Sequence, residues 1–286
     1  MIVFLNGRLV PEEQAVVSVF DRGFLYGDGL FEGVRIYNGH PFRWTQHLER
    51  FRAGADYLQL SLPFTPDELR AYAEQLIVQN RSPEGFVRLS LSRGVGPRGY
   101  SPRGADQPTL VMALHPAAPI DPQRPPQWSL FIASPRLPAN ERLATIKTSN
   151  KLPQIMAKAE AQAFGADEAL LLNTDGHLAE AASSNLFWFE GTRVCTPPLA
   201  TGILAGVTRA ITLEICASLG WPVQEKIAGP ATLLDASGVF LTVTTLEAVE
   251  AVRLDGKELH RSPQLEILRR EYRRLVLAEC GVATPA

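Results

Sequence analysis

This chain has little cysteine: Cys195, Cys216 and Cys280 are all it holds in 286 residues. Their odd number and wide scatter exclude a disulfide framework, and no metal-ligand or redox spacing links them, so they read as reduced structural thiols. Excess charge of one sign is also missing, with 28 Lys+Arg against 30 Asp+Glu and a formal net charge of -2. Without a basic run, nothing points to nucleic acid or an anionic membrane surface. Arg269-Arg270 and Arg273-Arg274 read as the solvated face of a helix. Apolar stretches long enough to span a bilayer are absent, and Met1-Ile2-Val3-Phe4-Leu5 meets Asn6-Gly7 too soon for a signal peptide. A soluble, cytoplasmic chain is expected.

What is present suffices for a sizeable core, since 45% of the residues are hydrophobic. Ile2 to Asn6, Gly7, and Arg8 to Val10 predict strand, turn and strand, and Leu30 to Tyr37 predicts a second hairpin closed by Asn38-Gly39. Leu48, Phe51 and Ala55 recur at helical spacing within a helix from Thr45 to Tyr57, with Thr45 as its cap. A second helix runs from Pro66 to Gln79 behind Thr65. Strands follow at Phe86 to Ser92 and Thr109 to Leu114.

Between His115 and Gln127 the chain is Pro-rich and lacks apolar periodicity, which marks a linker. Beyond it, strands are expected at Ser129 to Ser134, Glu168 to Asn173, Leu186 to Phe189 and Gly238 to Thr242. Helices are expected at Leu152 to Gly165, Val207 to Leu219 and Pro263 to Cys280. Strands and helices mix without regular alternation, so the fold class is α+β.

Gly94-Val95-Gly96-Pro97-Arg98-Gly99 matches the dinucleotide fingerprint, but Tyr100-Ser101-Pro102-Arg103-Gly104 continues as loop where a helix must open. A nucleotide-dependent oxidoreductase is therefore disfavoured. The segment reads instead as a mobile loop whose Arg98 can pair with a substrate carboxylate, or as a plain surface loop.

Lys147 ends the stretch Leu143 to Ile146 and predicts a strand end. A partly desolvated lysine is nucleophilic near neutral pH. Lys151, four residues on, competes with it, and spacing does not separate the two. Glu180 follows the turn Thr174-Asp175-Gly176 and a short return strand, ahead of the small residues Ala181 to Ser184; the alternative is a solvated strand-end glutamate. Gly202 to Thr208 leads into a helix whose free N–H groups make an anion site, although many helices begin this way. Thr244 and Thr245 complete a phosphate cup or are ordinary strand threonines. Arg50, on the side of His47, reaches either water or a phosphate. A lysine amine, a carboxylate and a helix start, in that order, are the needs of pyridoxal 5'-phosphate: a Schiff base, a protonated pyridine nitrogen and a held phosphate.

Asp21-Arg22-Gly23-Phe24-Leu25-Tyr26-Gly27-Asp28-Gly29-Leu30-Phe31-Glu32-Gly33, His47 to Arg50, Lys147 to Asn150, Glu180 to Phe187, Thr196-Pro197-Pro198 and Gly202 to Arg209 come in one order. Over nearly its whole length the chain resembles the class IV pyridoxal phosphate enzymes, the family of branched-chain and D-amino acid aminotransferases and of aminodeoxychorismate lyase. The resemblance implies Lys147 as the Schiff-base lysine, in preference to Lys151, and Glu180 at the pyridine nitrogen. It also implies cofactor contacts from Arg50, Ser183, Ser184, Asn185, Leu204, Gly206, Val207, Thr208, Thr244 and Thr245, and a substrate pocket of Phe31, Arg35, Arg88, Arg98 and Tyr100. The implied architecture is the fold type IV pair of domains: residues 1–115 as the smaller, 116–127 as linker and 128–286 as the larger, cofactor-binding one. Members look like homodimers with the site between domains, roofed partly by the neighbouring subunit.

Subfamily markers disagree. Arg93 to Ser101, Ser184 to Trp188 and Lys151 resemble the lyase, yet Gly33 stands where lyases commonly carry a threonine thought to protonate the leaving pyruvate. Phe31 to Arg35 is closer to branched-chain aminotransferases, and Met156 to Ala161 resembles D-amino acid aminotransferases, which have histidine in place of Tyr100. The missing threonine favours an aminotransferase acting on amino acids and 2-oxo acids over 4-amino-4-deoxychorismate lyase. A non-catalytic binder of a phosphorylated ligand would not need the lysine and glutamate.

Overall fold

The computed structural model describes residues 1–281, which divide into two compact units. The first comprises Met1–Pro119, Lys147–Asn150 and residues 276–281; the second comprises Ile120–Ile146 and Lys151–Leu275.

In the first unit β1 (Ile2–Leu5) and β2 (Arg8–Pro11) precede a one-turn helix α1 (Arg22–Tyr26), followed by β3 (Gly29–Tyr37) and β4 (His40–Pro41). Helices α2 (Trp44–Tyr57) and α3 (Pro66–Asn80) come next, then β5 (Gly85–Ser92) and β6 (Thr109–Pro116). The sheet order is β2-β1-β6-β5-β3-β4, antiparallel at every recorded pairing. Both hairpins turn on Asn-Gly pairs with positive φ, Asn6 (47°) with Gly7 (88°) and Asn38 (49°) with Gly39 (80°), as their primed turns require. Period-two alternation sends Val34, Ile36, Val87, Leu89, Leu91 and Met112 into one core with Leu48 and Phe51 of α2 and Leu69 and Leu76 of α3.

Thr65 caps α3 as expected, forming a reciprocal box with Glu68. Thr45 does not cap α2. The helix begins one residue earlier, with Arg43 at its N-cap in the left-handed region (φ 53°) and no side-chain cap bond.

In the second unit β7 (Gln127–Leu137), α4 (Leu152–Phe164), β8 (Glu168–Asn173), β9 (Leu178–Ala181), β10 (Asn185–Glu190) and β11 (Arg193–Thr196) come first. Helix α5 (Val207–Ser218), β12 (Val223–Glu225), α6 (Thr232–Asp235), β13 (Gly238–Val243), β14 (Glu247–Leu254) and β15 (Lys257–Glu258) complete it, and α7 (Gln264–Cys280) closes the described chain. The sheet runs β12-β11-β10-β13-β14-β7-β8-β9, and β9 pairs back onto β10 through Glu180 and Asn185. The strands from β10 round to β9 thus close into a ring of mixed parallel and antiparallel pairs. Leu130, Leu170, Leu186, Trp188, Leu241 and Val249 fill one of its apolar clusters. The α+β class read from the sequence is the class observed.

One other expectation changes. Arg269 and Arg273 are not simply solvated, because Arg269 donates to the carbonyls of Ala248 and Pro126 and Arg273 to that of Ile120, tying the helix to the backbone it packs against. The three cysteines are free and buried, as expected, and burial pushes each thiol up to about 11. Among the described residues no helix is long and apolar enough to cross a membrane, and no group of three metal-ligating side chains occurs.

Candidate active site

The chemistry-bearing residues gather in two clusters, one in each unit. In the first unit the cluster is organised by the two faces of β3. Phe31, Gly33 and Arg35 point to the face away from the helices, and Gly33 stands directly opposite Arg88 of β5. The Arg88 guanidinium lies 3.8 Å from the Phe31 ring centroid, and the Lys147 amine lies 4.7 Å from the same ring. Arg88 is half-buried, burial lowers its pKa, and no carboxylate pairs with it among the described residues. Its stack on Phe31 offsets part of that desolvation.

Lys147 does not end a strand. A 3-10 turn over Arg142–Thr145 precedes it, and the segment is then pinned to β3 as an isolated bridge. The amide of Phe31 donates to the Lys147 carbonyl (2.9 Å) and that of Ser149 to the Gly29 carbonyl (2.9 Å). The backbone of Lys147 is therefore fixed although it lies outside every regular element. Arg35 is placed differently from the pocket role expected of it. It is 1% exposed, its Nη2 donating to Glu84 (3.1 Å) and to the Ala118 carbonyl (3.0 Å), because a guanidinium in the interior must take the carboxylate and carbonyl within reach.

On the opposite face of β3, among apolar neighbours, sits Glu32. Both its oxygens accept from Arg50 of α2, Nη2 to Oε1 at 2.7 Å and Nε to Oε2 at 2.8 Å. Oε1 also faces His47 Nδ1 at 3.2 Å and accepts from the Gly33 amide at 2.8 Å. Burial opposes ionisation of Glu32, but the Arg50 charge and the His47 hydrogen bond hold its carboxyl well below the usual range. Burial pushes His47 down despite Glu32, and the Arg50 and Lys147 charges push it further, so the imidazole is neutral near pH 7. Nothing in the sequence reading gave Glu32 a role, although a glutamate at a core-facing position two residues from both Leu30 and Val34 is a signal in itself.

In the second unit the ring closure between β9 and β10 places Asn185 directly opposite Glu180, and Asn185 pairs on its other side with Thr242 of β13. Glu180 Oε2 accepts from Asn185 Nδ2 (3.1 Å) and from the Leu204 amide (2.9 Å), while Asn185 Nδ2 also donates to the Leu204 carbonyl (2.9 Å). This latch fixes the segment leading into α5. The helix begins at Gly206 without a side-chain cap, with Val207 and Thr208 buried in its first turn. A Cβ on Gly206 would lie 2.0 Å from Asn185 Oδ1. Gly206→Ala should therefore push the asparagine off the latch and cost about 1–3 kcal/mol, read as a lowered thermal midpoint.

Ser184 Oγ and Thr242 Oγ1 are buried without hydrogen-bond partners. Ser183 is exposed, and its hydroxyl donates to the buried Glu168 (2.6 Å), another residue the sequence reading passed over. Thr244 and Thr245 are half-buried in the turn between β13 and β14. Lys151 is half-buried too; burial pushes its ammonium below the ordinary value and Glu180 opposes the shift.

With uncapped helix N–H groups, orphaned buried hydroxyls and a carboxylate held by two donors, the second cluster suits a ligand that is anionic at one end and basic at the other. Residues 29–254 match the family model described as amino-transferase class IV. The chain belongs to the class IV aminotransferase family. It is 33% identical over 259 residues to a D-alanine aminotransferase of Bacillus licheniformis, covering 91% of this chain and 90% of that one. It is 32% identical over 256 residues to an aminodeoxychorismate lyase of Bacillus subtilis, covering 89% and 87%. A crystal structure of the branched-chain aminotransferase from the thermophilic archaeon Thermoproteus uzoniensis with norvaline superposes with a TM-score of 0.91 at 31% identity, covering 98% and 95%.

Proposed function

We propose that this class IV enzyme is an aminotransferase, moving the amino group of a branched-chain or D-type amino acid to a 2-oxo acid, as a cytoplasmic homodimer. Like its family it depends on pyridoxal phosphate. Bound, that cofactor supplies an electron sink for the charge left when a substrate Cα–H bond breaks.

The residues of this chain supply the rest. Lys147, its backbone fixed on β3, is the group that takes the proton from Cα and returns it elsewhere. Glu180, oriented by Asn185 and the Leu204 amide, is suited to hold a proton on a pyridine nitrogen. The α5 N-terminus with Val207 and Thr208 is suited to a phosphate, as are the half-buried Thr244 and Thr245. Arg88 is suited to a carboxylate, such as that of a dicarboxylic acceptor.

The observation that carries aminotransferase over lyase is Gly33. A Cβ built there would meet nothing within 4 Å, so this position offers neither a hydroxyl nor any filling group to protonate a departing pyruvate. Transamination needs only the proton carried by the lysine. The test is to supply L- and D-amino acids with 2-oxoglutarate or pyruvate, and aminodeoxychorismate separately. Oxo-acid exchange is expected; pyruvate and 4-aminobenzoate from the third substrate, without exchange, would reverse the assignment. A colourless protein without turnover would point to a binder.

The same open space makes a second expectation. Gly33→Thr should fold normally, since a threonine suits a strand better than glycine by about 1 kcal/mol, while bulky amino donors lose about tenfold in kcat/KM to the filled space. Steady-state kinetics across a donor size series checks it.

A further inference from the structure

The loop following β5 carries Arg98 and Tyr100, both exposed, Tyr100 at 89%. Loops of this kind ordinarily stand on water, yet this one stands on a buried arginine. Arg22 of α1 is 3% exposed and engages all three guanidinium nitrogens locally. Nε donates to Asp28 Oδ2 (2.8 Å), Nη1 to the Gly99 carbonyl (2.7 Å) and Nη2 to the Tyr100 carbonyl (3.2 Å). Tyr26, one turn along α1, holds the same point from the other side. Its hydroxyl accepts from the Gly99 amide (3.1 Å), its ring packs edge-on to Tyr100 at 5.6 Å, and the Arg22 guanidinium lies 5.0 Å from its centroid.

The base of the loop is fastened too. The Arg22 amide donates to the Gly94 carbonyl (2.9 Å), and Asp21, the α1 cap, bridges to Val95 and accepts from Ser92 (2.8 Å) and Thr109 (2.7 Å). Asp28 is shared with Arg93, whose Nη2 also donates to the Leu58 carbonyl (2.8 Å). Gly96 packs so closely that a Cβ would lie 2.5 Å from the Ala105 methyl and 3.2 Å from Arg22 Cδ. The mobile loop expected from the glycines is thus tied at both ends and in the middle. Holding the Gly99 amide and carbonyl and the Tyr100 carbonyl fixes the backbone between Arg98 and Tyr100 while leaving their side chains exposed.

We propose that Arg22 and Tyr26 are positioning residues, which hold the 94–104 loop so that Arg98 and Tyr100 present one fixed geometry to the substrate carboxylate. This rests on the reading of Arg98 as a substrate-binding residue. Both Arg22 and Tyr26 are engaged with the loop backbone through these bonds, so their effect passes through the loop.

Three variants of the holoenzyme test it: Arg22→Lys, which keeps the charge but loses the fork, Tyr26→Phe, which removes one hydroxyl, and Arg98→Ala. Arg22→Lys should raise the amino-donor KM about 10–100-fold with kcat within about twofold and the cofactor's visible absorption unchanged. Tyr26→Phe should move KM in the same direction, by less, and it serves if Arg22→Lys fails to fold. The double variant Arg22→Lys/Arg98→Ala should lose less than the product of the two single losses, because the Arg98 share of the Arg22 effect is already gone. An unchanged KM in both positioning variants, beside a raised KM in Arg98→Ala, overturns the inference alone. Additive losses in the double variant, or kcat and cofactor absorption falling together with KM, also overturn it, as a general structural effect. If Arg98→Ala itself leaves KM unchanged, the substrate-loop reading fails and the inference falls with it.

Discussion

Lys147→Ala should purify colourless even when grown and handled with pyridoxal phosphate, and its turnover should fall by at least about 10⁴-fold, the upper range for loss of a general acid–base group. The loss is chemical rather than structural. The backbone at this position is held by the Phe31 and Ser149 amides, neither of which involves the side chain, and the residue is only half-buried, so alanine leaves the bridge to β3 intact. The thermal midpoint should accordingly stay within about 2 °C, since exposed and half-exposed truncations away from a packed core cost little. Borohydride reduction of the wild-type holoenzyme followed by peptide mapping gives an independent reading. The adduct should sit on Lys147; an adduct on Lys151 would sink the assignment. Lys151 is a serious competitor on physical grounds, because burial lowers its pKa and so raises the fraction of free amine.

Much of the fold was legible in the sequence because two periodicities carry it. Val34, Ile36, Val87 and Leu89 alternate on strands, while Leu69, Ala73 and Leu76 recur at helical spacing, and the Asn-Gly turns and the Thr65 box mark the ends. What stayed hidden was of another kind. The β9–β10 pairing joins residues close in sequence but closes a ring whose other members come from far away, and no local pattern encodes that closure. It is this pairing that sets Asn185 beside Glu180 and so latches Leu204, which is why the Glu180 to Phe187 and Gly202 to Arg209 motifs could be recognised without their mutual geometry being derived. Arg22 is legible only as part of a motif, since nothing local shows that its loop partners lie more than seventy residues on, at Gly99 and Tyr100. Glu32 was legible in principle. A strand that alternates Leu30, Glu32, Val34, Ile36 toward a core demands a cation inside, and the inward face of α2 supplies Arg50.

That demand sets the second large effect. Glu32→Gln should destabilise the first unit by about 3–5 kcal/mol, the usual cost of leaving a buried charge without its partner. The mechanism is specific: Arg50 keeps its guanidinium but loses the two carboxylate oxygens it grips, and His47 loses its charged acceptor, with glutamine returning only one weaker acceptor. Thermal melting at neutral pH should show the loss. Acid titration separates the electrostatic part from packing. Because Glu32 titrates below its ordinary range in the folded chain, its contribution is fully present above about pH 4 and disappears as the pH falls below that, when the unfolded chain takes up the proton first. His47, also depressed, adds in the same direction from about pH 6.5 downward, since the unfolded imidazole protonates before the folded one does. The wild type should therefore lose stability progressively on acidification, in two stages. Glu32→Gln should retain the histidine stage and lack most of the carboxylate stage, so that the two proteins converge at low pH. Arg50→Ala is the informative mirror, because it strands the carboxylate instead: it should be as destabilised at pH 7 and recover toward the wild type on acidification as Glu32 becomes protonated. Parallel acid profiles for wild type and Glu32→Gln would mean that the buried pair contributes packing alone.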